Sequence, residues 1–76
     1  MKEILKVVID NLVDDKNSVS IEEKADDNEI KYEVKVADND IGRVIGRKGK
    51  IAQSIRTVMK AIAAKENKKI NIEFID

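Results

Sequence analysis

The sequence predicts an α+β domain of two layers, a three-stranded mixed sheet covered on one face by three helices. Three observations predict it. Residues 3–13 carry apolar side chains at helical spacing, residues 30–36 alternate strictly between apolar and charged, and residues 41–62 return to helical spacing across a break that contains Gly46 and Gly49. A final alternating segment supplies the last strand, so the predicted order is α-β-β-α-α-β.

Each element has its own warrant. In the first helix Ile4, Leu5, Val8, Leu12 and Val13 form an apolar stripe, widened by Val7 and Ile9, and Asp14-Asp15-Lys16-Asn17 ends it. Val19 and Ile21 alternate with Ser18, Ser20 and Glu22, which predicts a short strand, and the polar run Lys24 to Asn28 suits a hairpin turn. Ile30, Tyr32, Val34 and Val36 alternate with Lys31, Glu33 and Lys35, a strand with one core face and one wet face. Asp38-Asn39-Asp40 is a helix N-cap cluster, and the short helix after it presents Ile41, Val44 and Ile45 before Gly46 stops it. A longer helix restarts near Gly49, with Ile51, Ala52, Ile55, Val58, Met59 and Ile62 on its apolar side and Lys50, Gln53, Arg56 and Lys60 on its polar side. Asn67 closes it, and Ile70, Ile72 and Phe74 alternate with Asn71, Glu73 and Ile75. Two strands joined by a hairpin pair antiparallel. Two joined through helices pair parallel by a right-handed crossover.

Length and composition narrow the function. A chain of 76 residues reads as one domain, residues 1–76, which buries roughly 60% of its unfolded surface and has no room for a deep catalytic cavity. Without Cys or His the usual zinc ligand sets are absent and no disulfide can form, which fits a reducing cytoplasm. No run is long enough to span a membrane, and the first residues do not read as a signal peptide. No cofactor is implied. The Ser residues have no base beside them and the paired carboxylates Asp14-Asp15 and Asp26-Asp27 sit in turns, so an enzyme is not expected. Asp26-x-Asn28 and Asp38-x-Asp40 do not continue as calcium loops.

Fifteen basic and fifteen acidic residues cancel, but they are segregated. Residues 41–60 hold Arg43, Arg47, Lys48, Lys50, Arg56 and Lys60 and no acid, a local charge of +6. Residues 10–29 hold eight acids against Lys16 and Lys24, a local charge of −6. A neutral protein thus presents one positive surface able to attract a polyanion. The basic stretch encloses Gly46-Arg47-Lys48-Gly49, directly before a helix whose first N–H groups lack intrahelical partners and favour phosphate. A Walker loop and a dinucleotide fingerprint would each need Gly where Val44 stands, and the former a Ser or Thr where Ile51 stands.

Ile45-Gly46-Arg47-Lys48-Gly49, followed by Ile51 and Ile55, resembles the GXXG signature of the KH domain, a single-stranded nucleic-acid binder whose loop clamps about four nucleotides. The chain is similar nearly end to end to the small stand-alone bacterial KH proteins of the KhpA family, and its element order is that of the type II, prokaryotic, KH fold. The resemblance implies single-stranded RNA as partner: Arg47 and Lys48 on phosphates, Gly46 and Gly49 admitting the backbone, and Arg43, Lys50 and Arg56 extending the positive rim. It puts Val44, Ile45, Ala52 and Ile55 on the floor of an apolar groove for bases, with the last strand and the Lys68-Lys69 turn as far wall; Val44 and Ile55 read equally well as core. Tyr32 and Phe74 are the only aromatics, so no stacking platform exists and a single copy should bind modestly and with loose sequence preference. The resemblance further implies an RNA chaperone or post-transcriptional regulator, a homodimer, pairing with a Jag-type KH protein (KhpB), and a link to cell-shape and cell-wall control. The competing reading is a protein-interaction or dimerisation module, with Val7, Ile9 and Ile75 as its surface and RNA contact incidental.

Overall fold

The computed structural model describes residues 1–75 and has the predicted order. Helix α1 spans Lys2–Asp10, strands β1 and β2 span Ser20–Ala25 and Glu29–Lys35, helices α2 and α3 span Ile41–Ile45 and Lys50–Lys65, and strand β3 spans Lys69–Ile75. The strands lie in the order β1-β2-β3, with β1 antiparallel and β3 parallel to the central β2.

Alternation in β2 decides the layering. Ile30, Tyr32, Val34 and Val36 are buried, and they share one core with Leu5, Ile9, Val13, Val44, Met59, Ala63, Ile70 and Ile72. Large apolar side chains such as Leu5, Ile9 and Met59, each fully buried, contribute about 1.5–3 kcal/mol apiece. Tyr32 is 1% exposed and lies opposite Glu23 in the hairpin register. Burial first, and the Glu23 carboxylate second, push its phenol above the ordinary tyrosine value. The opposite sheet face is polar, and its charges pair across strands: Lys24 with Glu33 at 3.1 Å and Lys31 with Glu73 at 3.4 Å.

Three element boundaries differ from expectation. Helix α1 stops at Asp10 rather than near residue 13, because the Asn11 side chain donates to the Val7 carbonyl at 2.7 Å and the chain tightens, the Leu12 N–H donating to Ile9 at 2.9 Å. Val13 still reaches the core. Strand β1 begins one residue after Val19 and runs on to Ala25, through residues with no apolar signal, because β2 pairs with it along its whole length. The turn is then only Asp26–Asn28, and Asp26 Oδ1 accepts the N–H groups of Asn28 (2.9 Å) and Glu29 (2.8 Å), which lower its pKa. At the end of α3 Asn67 takes the left-handed conformation (φ 58°), and the N–H groups of Asn67 and Lys68 donate to Ala64 and Ala63, each at 3.0 Å. This C-terminal cap turns the chain into β3.

Candidate nucleic-acid interface

Asp40 does not cap α2 with its side chain. Residues Asp38–Asp40 form a 3-10 turn, and the Asp40 carboxylate, 1% exposed, faces the loop after α1. Its Oδ1 accepts the N–H of Asp14 at 3.1 Å and its Oδ2 that of Asp15 at 3.0 Å, while Arg43 Nε lies 3.2 Å from Oδ1. The amides of Asp15 and Asp14 hold its pKa below the ordinary aspartate value, with Arg43 adding to them. Asp40 thereby fixes where α2 starts, and α2 carries the loop. Nothing in the run Asp-Asn-Asp announces which carboxylate turns inward.

The loop itself is a single 3-10 turn, Arg47–Gly49, between α2 and α3. Gly46 (φ 76°, ψ 174°) leaves α2 with its N–H bonded to Gly42 at 2.9 Å. Lys48 (φ 57°) and Gly49 (φ 74°) both take the left-handed conformation, and the Gly49 N–H donates to Gly46 at 3.1 Å. Arg47, Lys48 and Lys50 are exposed. Gly49 is the N-cap of α3 and offers no side chain to the first-turn N–H groups, and that turn carries no acid. The result is an uncapped helix N-terminus ringed by three cations, a local geometry that attracts phosphate.

The two glycines do different work. A Cβ on Gly49 would meet nothing within 4 Å, so this side of the loop is open to a ligand backbone. A Cβ on Gly46 would lie 2.5 Å from Ile51 Cγ1 and 2.9 Å from Ile51 Cβ. Gly46 therefore leaves room for the Ile51 side chain, a packing reason for glycine at this position.

Other expected positions are also redistributed. Arg43 is ion-paired to Asp14 (3.0 Å) as well as Asp40 and so links α2 to the α1–β1 connection, with about half of its side chain still exposed. Val44 is fully buried and belongs to the core, where it can touch no base. Ile55, like Val44, is buried in the core; with Val8, Leu12, Ile51 and Val58 it also lines an apolar cleft of about 380 Å³, which Lys50 borders. Ala52 is 2% exposed and Ile45 is half-buried, so of the two Ile45 keeps the more accessible surface. Arg56, half-buried, lies against β3: its Nε donates to the Ile72 carbonyl at 3.0 Å and its guanidinium sits 5.5 Å from the Phe74 ring centroid. The Arg56–Phe74 pairing joins residues 18 apart in the chain, a contact that no local pattern announces.

The family described as KhpA/KhpB, KH domain, matches residues 2–74. Relatives described as RNA-binding protein KhpA include those of Clostridium perfringens and Clostridium acetobutylicum, each 45% identical over 99% of this chain and the whole of the relative. That of Chlamydia trachomatis is 38% identical over 100% of this chain and 97% of the relative. No solved structure matches the chain.

Proposed function

The chain belongs to the KhpA/KhpB KH-domain family, and from that premise we propose that it binds single-stranded RNA at the Gly46–Gly49 loop. One observation carries this reading: the uncapped N-terminus of α3 is flanked by Arg47, Lys48 and Lys50, beside the open face of Gly49. Arg47 and Lys48 contact phosphates, the Gly49 backbone lets the strand approach, and Ile45 and Arg56 line the path the bases follow. Relatives carrying the name RNA-binding protein KhpA support the choice of RNA. In the cell the protein then acts in the cytoplasm as an RNA chaperone or post-transcriptional regulator, with a Jag-type KH partner, in cell-shape and cell-wall control.

A second surface favours an added protein contact. Val58, 54% exposed, lines the apolar cleft between α1 and α3, and Val7 and Ile4 on α1 are 60% and 44% exposed. We assign this cleft to self-association or to the Jag-type partner. Ile9, expected to contribute, is fully buried and does not.

The test is fluorescence anisotropy of a short labelled single-stranded RNA at two salt concentrations. The wild type is compared with Arg47→Asp/Lys48→Asp after circular dichroism shows both folded. The expected result is salt-sensitive binding, with a slope of about −0.7 per phosphate contact, that the double variant loses. Equal binding by both proteins would place the RNA elsewhere.

A further inference from the structure

We infer that self-association and RNA capture oppose each other in this protein, because the Lys50 ammonium that serves the loop also faces the Glu66 carboxylate of a second copy when two α3 helices pack antiparallel about Val58. The inference rests on the RNA-binding reading above and gives the α1–α3 cleft one occupant, a second copy of this chain. Residues four apart on α3 form a ridge of Lys50, Ser54, Val58, Ile62 and Glu66, the last at the C-cap. Val58 is the midpoint of that ridge and 54% exposed.

A hollow runs along each flank of the ridge. One is the apolar cleft of about 380 Å³ beside Ile51 and Ile55, and the other, of about 480 Å³, is lined by Gln53 and Thr57. A ridge between two grooves complements itself: a two-fold axis at Val58 lays the ridge of each copy into a groove of the other. The ridge also carries opposite charges at its ends. Lys50 and Glu66 stand eight residues either side of Val58, so the axis that sets Val58 against its own copy sets Lys50 against the second copy's Glu66. Both are exposed, and neither has an ion-pair partner among the described residues. Lys65 stands one position off the ridge, where its aliphatic stem covers the second copy's Ile51.

Lys50 belongs equally to the loop. It follows Gly49 directly and is one of the three cations at the uncapped start of α3. Ile51 lies under Gly46 and also lines the cleft, so the two surfaces abut. Within one chain Glu66 is 16 residues from Lys50. That is about 24 Å along the helix, well beyond a screening length of about 8 Å at physiological ionic strength. Glu66 therefore reaches a loop only from a second copy, where it neutralises a cation meant for phosphate. The effect is reciprocal by linkage: RNA on the loop weakens self-association by the same factor that self-association weakens RNA binding.

The experiment is sedimentation equilibrium of the full chain with and without a saturating oligouridine of about five nucleotides, enough for one loop. Anisotropy of the same oligomer, labelled, shows that it is bound. The expected result is a wild-type dimer whose dissociation constant rises about fivefold with RNA, the low end of ordinary coupling between sites. Glu66→Gln should associate more weakly without RNA and shift little when RNA is added. Lys50→Glu and Glu66→Lys should each weaken the dimer, and Lys50→Glu/Glu66→Lys should restore it. Both changes suit their helix ends, an acid at the start and a base at the end, so the variants should fold, as thermal melts establish. If a variant does not fold, the shift that RNA causes in the wild type decides alone. A dimer that bound RNA leaves unchanged or tightens overturns the inference, and so does a double variant no better than either single one. A wild type that stays monomeric but binds RNA overturns it as well and leaves the RNA reading standing. A wild type that does not bind the oligomer overturns both.

Discussion

Replacing each loop glycine by alanine should separate two roles that the motif writes identically. At Gly46 the backbone (φ 76°, ψ 174°) lies in a region that is essentially glycine's own, and holding another residue there costs about 1–3 kcal/mol. The added Cβ also falls 2.5 Å from Ile51 Cγ1, so Ile51 must repack, at a further cost of about 1–3 kcal/mol. The sum, about 2–6 kcal/mol, is a large share of the roughly 4–11 kcal/mol that a domain of 76 residues holds. At Gly49 (φ 74°, ψ 15°) only the left-handed conformation is penalised, by about 1–2 kcal/mol, and the methyl group enters open space. Urea unfolding followed by circular dichroism measures both. Gly46→Ala should be the less stable by at least about 1 kcal/mol, whereas Gly49→Ala should stay folded and lose RNA affinity because its methyl stands where the strand approaches. Equal destabilisation by the two, or a Gly46→Ala protein as stable as wild type, would refute the assignment of Ile51 as the reason for Gly46.

Three further outcomes follow from burial and pairing. Asp40 has a folded-state pKa below its unfolded value, so its contribution to stability is complete above the ordinary aspartate pKa and is lost as pH falls through the lower folded value. Asp40→Asn should thus be less stable than wild type at neutral pH, with the gap narrowing in acid when urea midpoints are compared. Val44→Ala should cost about 2 kcal/mol in urea unfolding and leave RNA affinity unchanged where the variant is folded, since Val44 has no exposed surface. Val7→Asp, at a position 60% exposed, should change stability by no more than about 0.5 kcal/mol yet abolish any dimer seen by sedimentation equilibrium.

Element order was legible because every strand and helix had to bury one face, and that need writes a period of 2 or 3.6 into residues such as Ile30–Val36 and Ile51–Ile62. The period fails where side chains reach the core without the regular element. Leu12 and Val13 keep helical spacing though α1 has ended, and Glu22-Glu23-Lys24 form strand although they bury nothing. The loop was legible as a basic glycine turn at a helix start, since glycines, charge and helix start are all local. The division of labour among its neighbours was not. Arg43 and Arg56 look alike as basic residues on helices, but one is claimed by Asp14 and Asp40 and the other by Ile72 and Phe74, partners that lie 16 or more residues away in every case but Asp40. Val44 and Ile45 are adjacent and equally apolar, and a turn of the helix alone sends one inward and leaves the other half-buried.

The tether from Arg56 to the Ile72 carbonyl also bears on how crowded copies of this protein behave. In the order β1-β2-β3 two strands have an unpaired outer side, and such sides invite strands from other molecules to continue the sheet. On β1 the exposed charges of Glu22, Glu23 and Lys24 discourage an arriving strand. On β3 a guanidinium already occupies a carbonyl that a visiting N–H would seek, with its charge laid across the approach. Arg56 is therefore placed to hinder extension of the sheet at this edge.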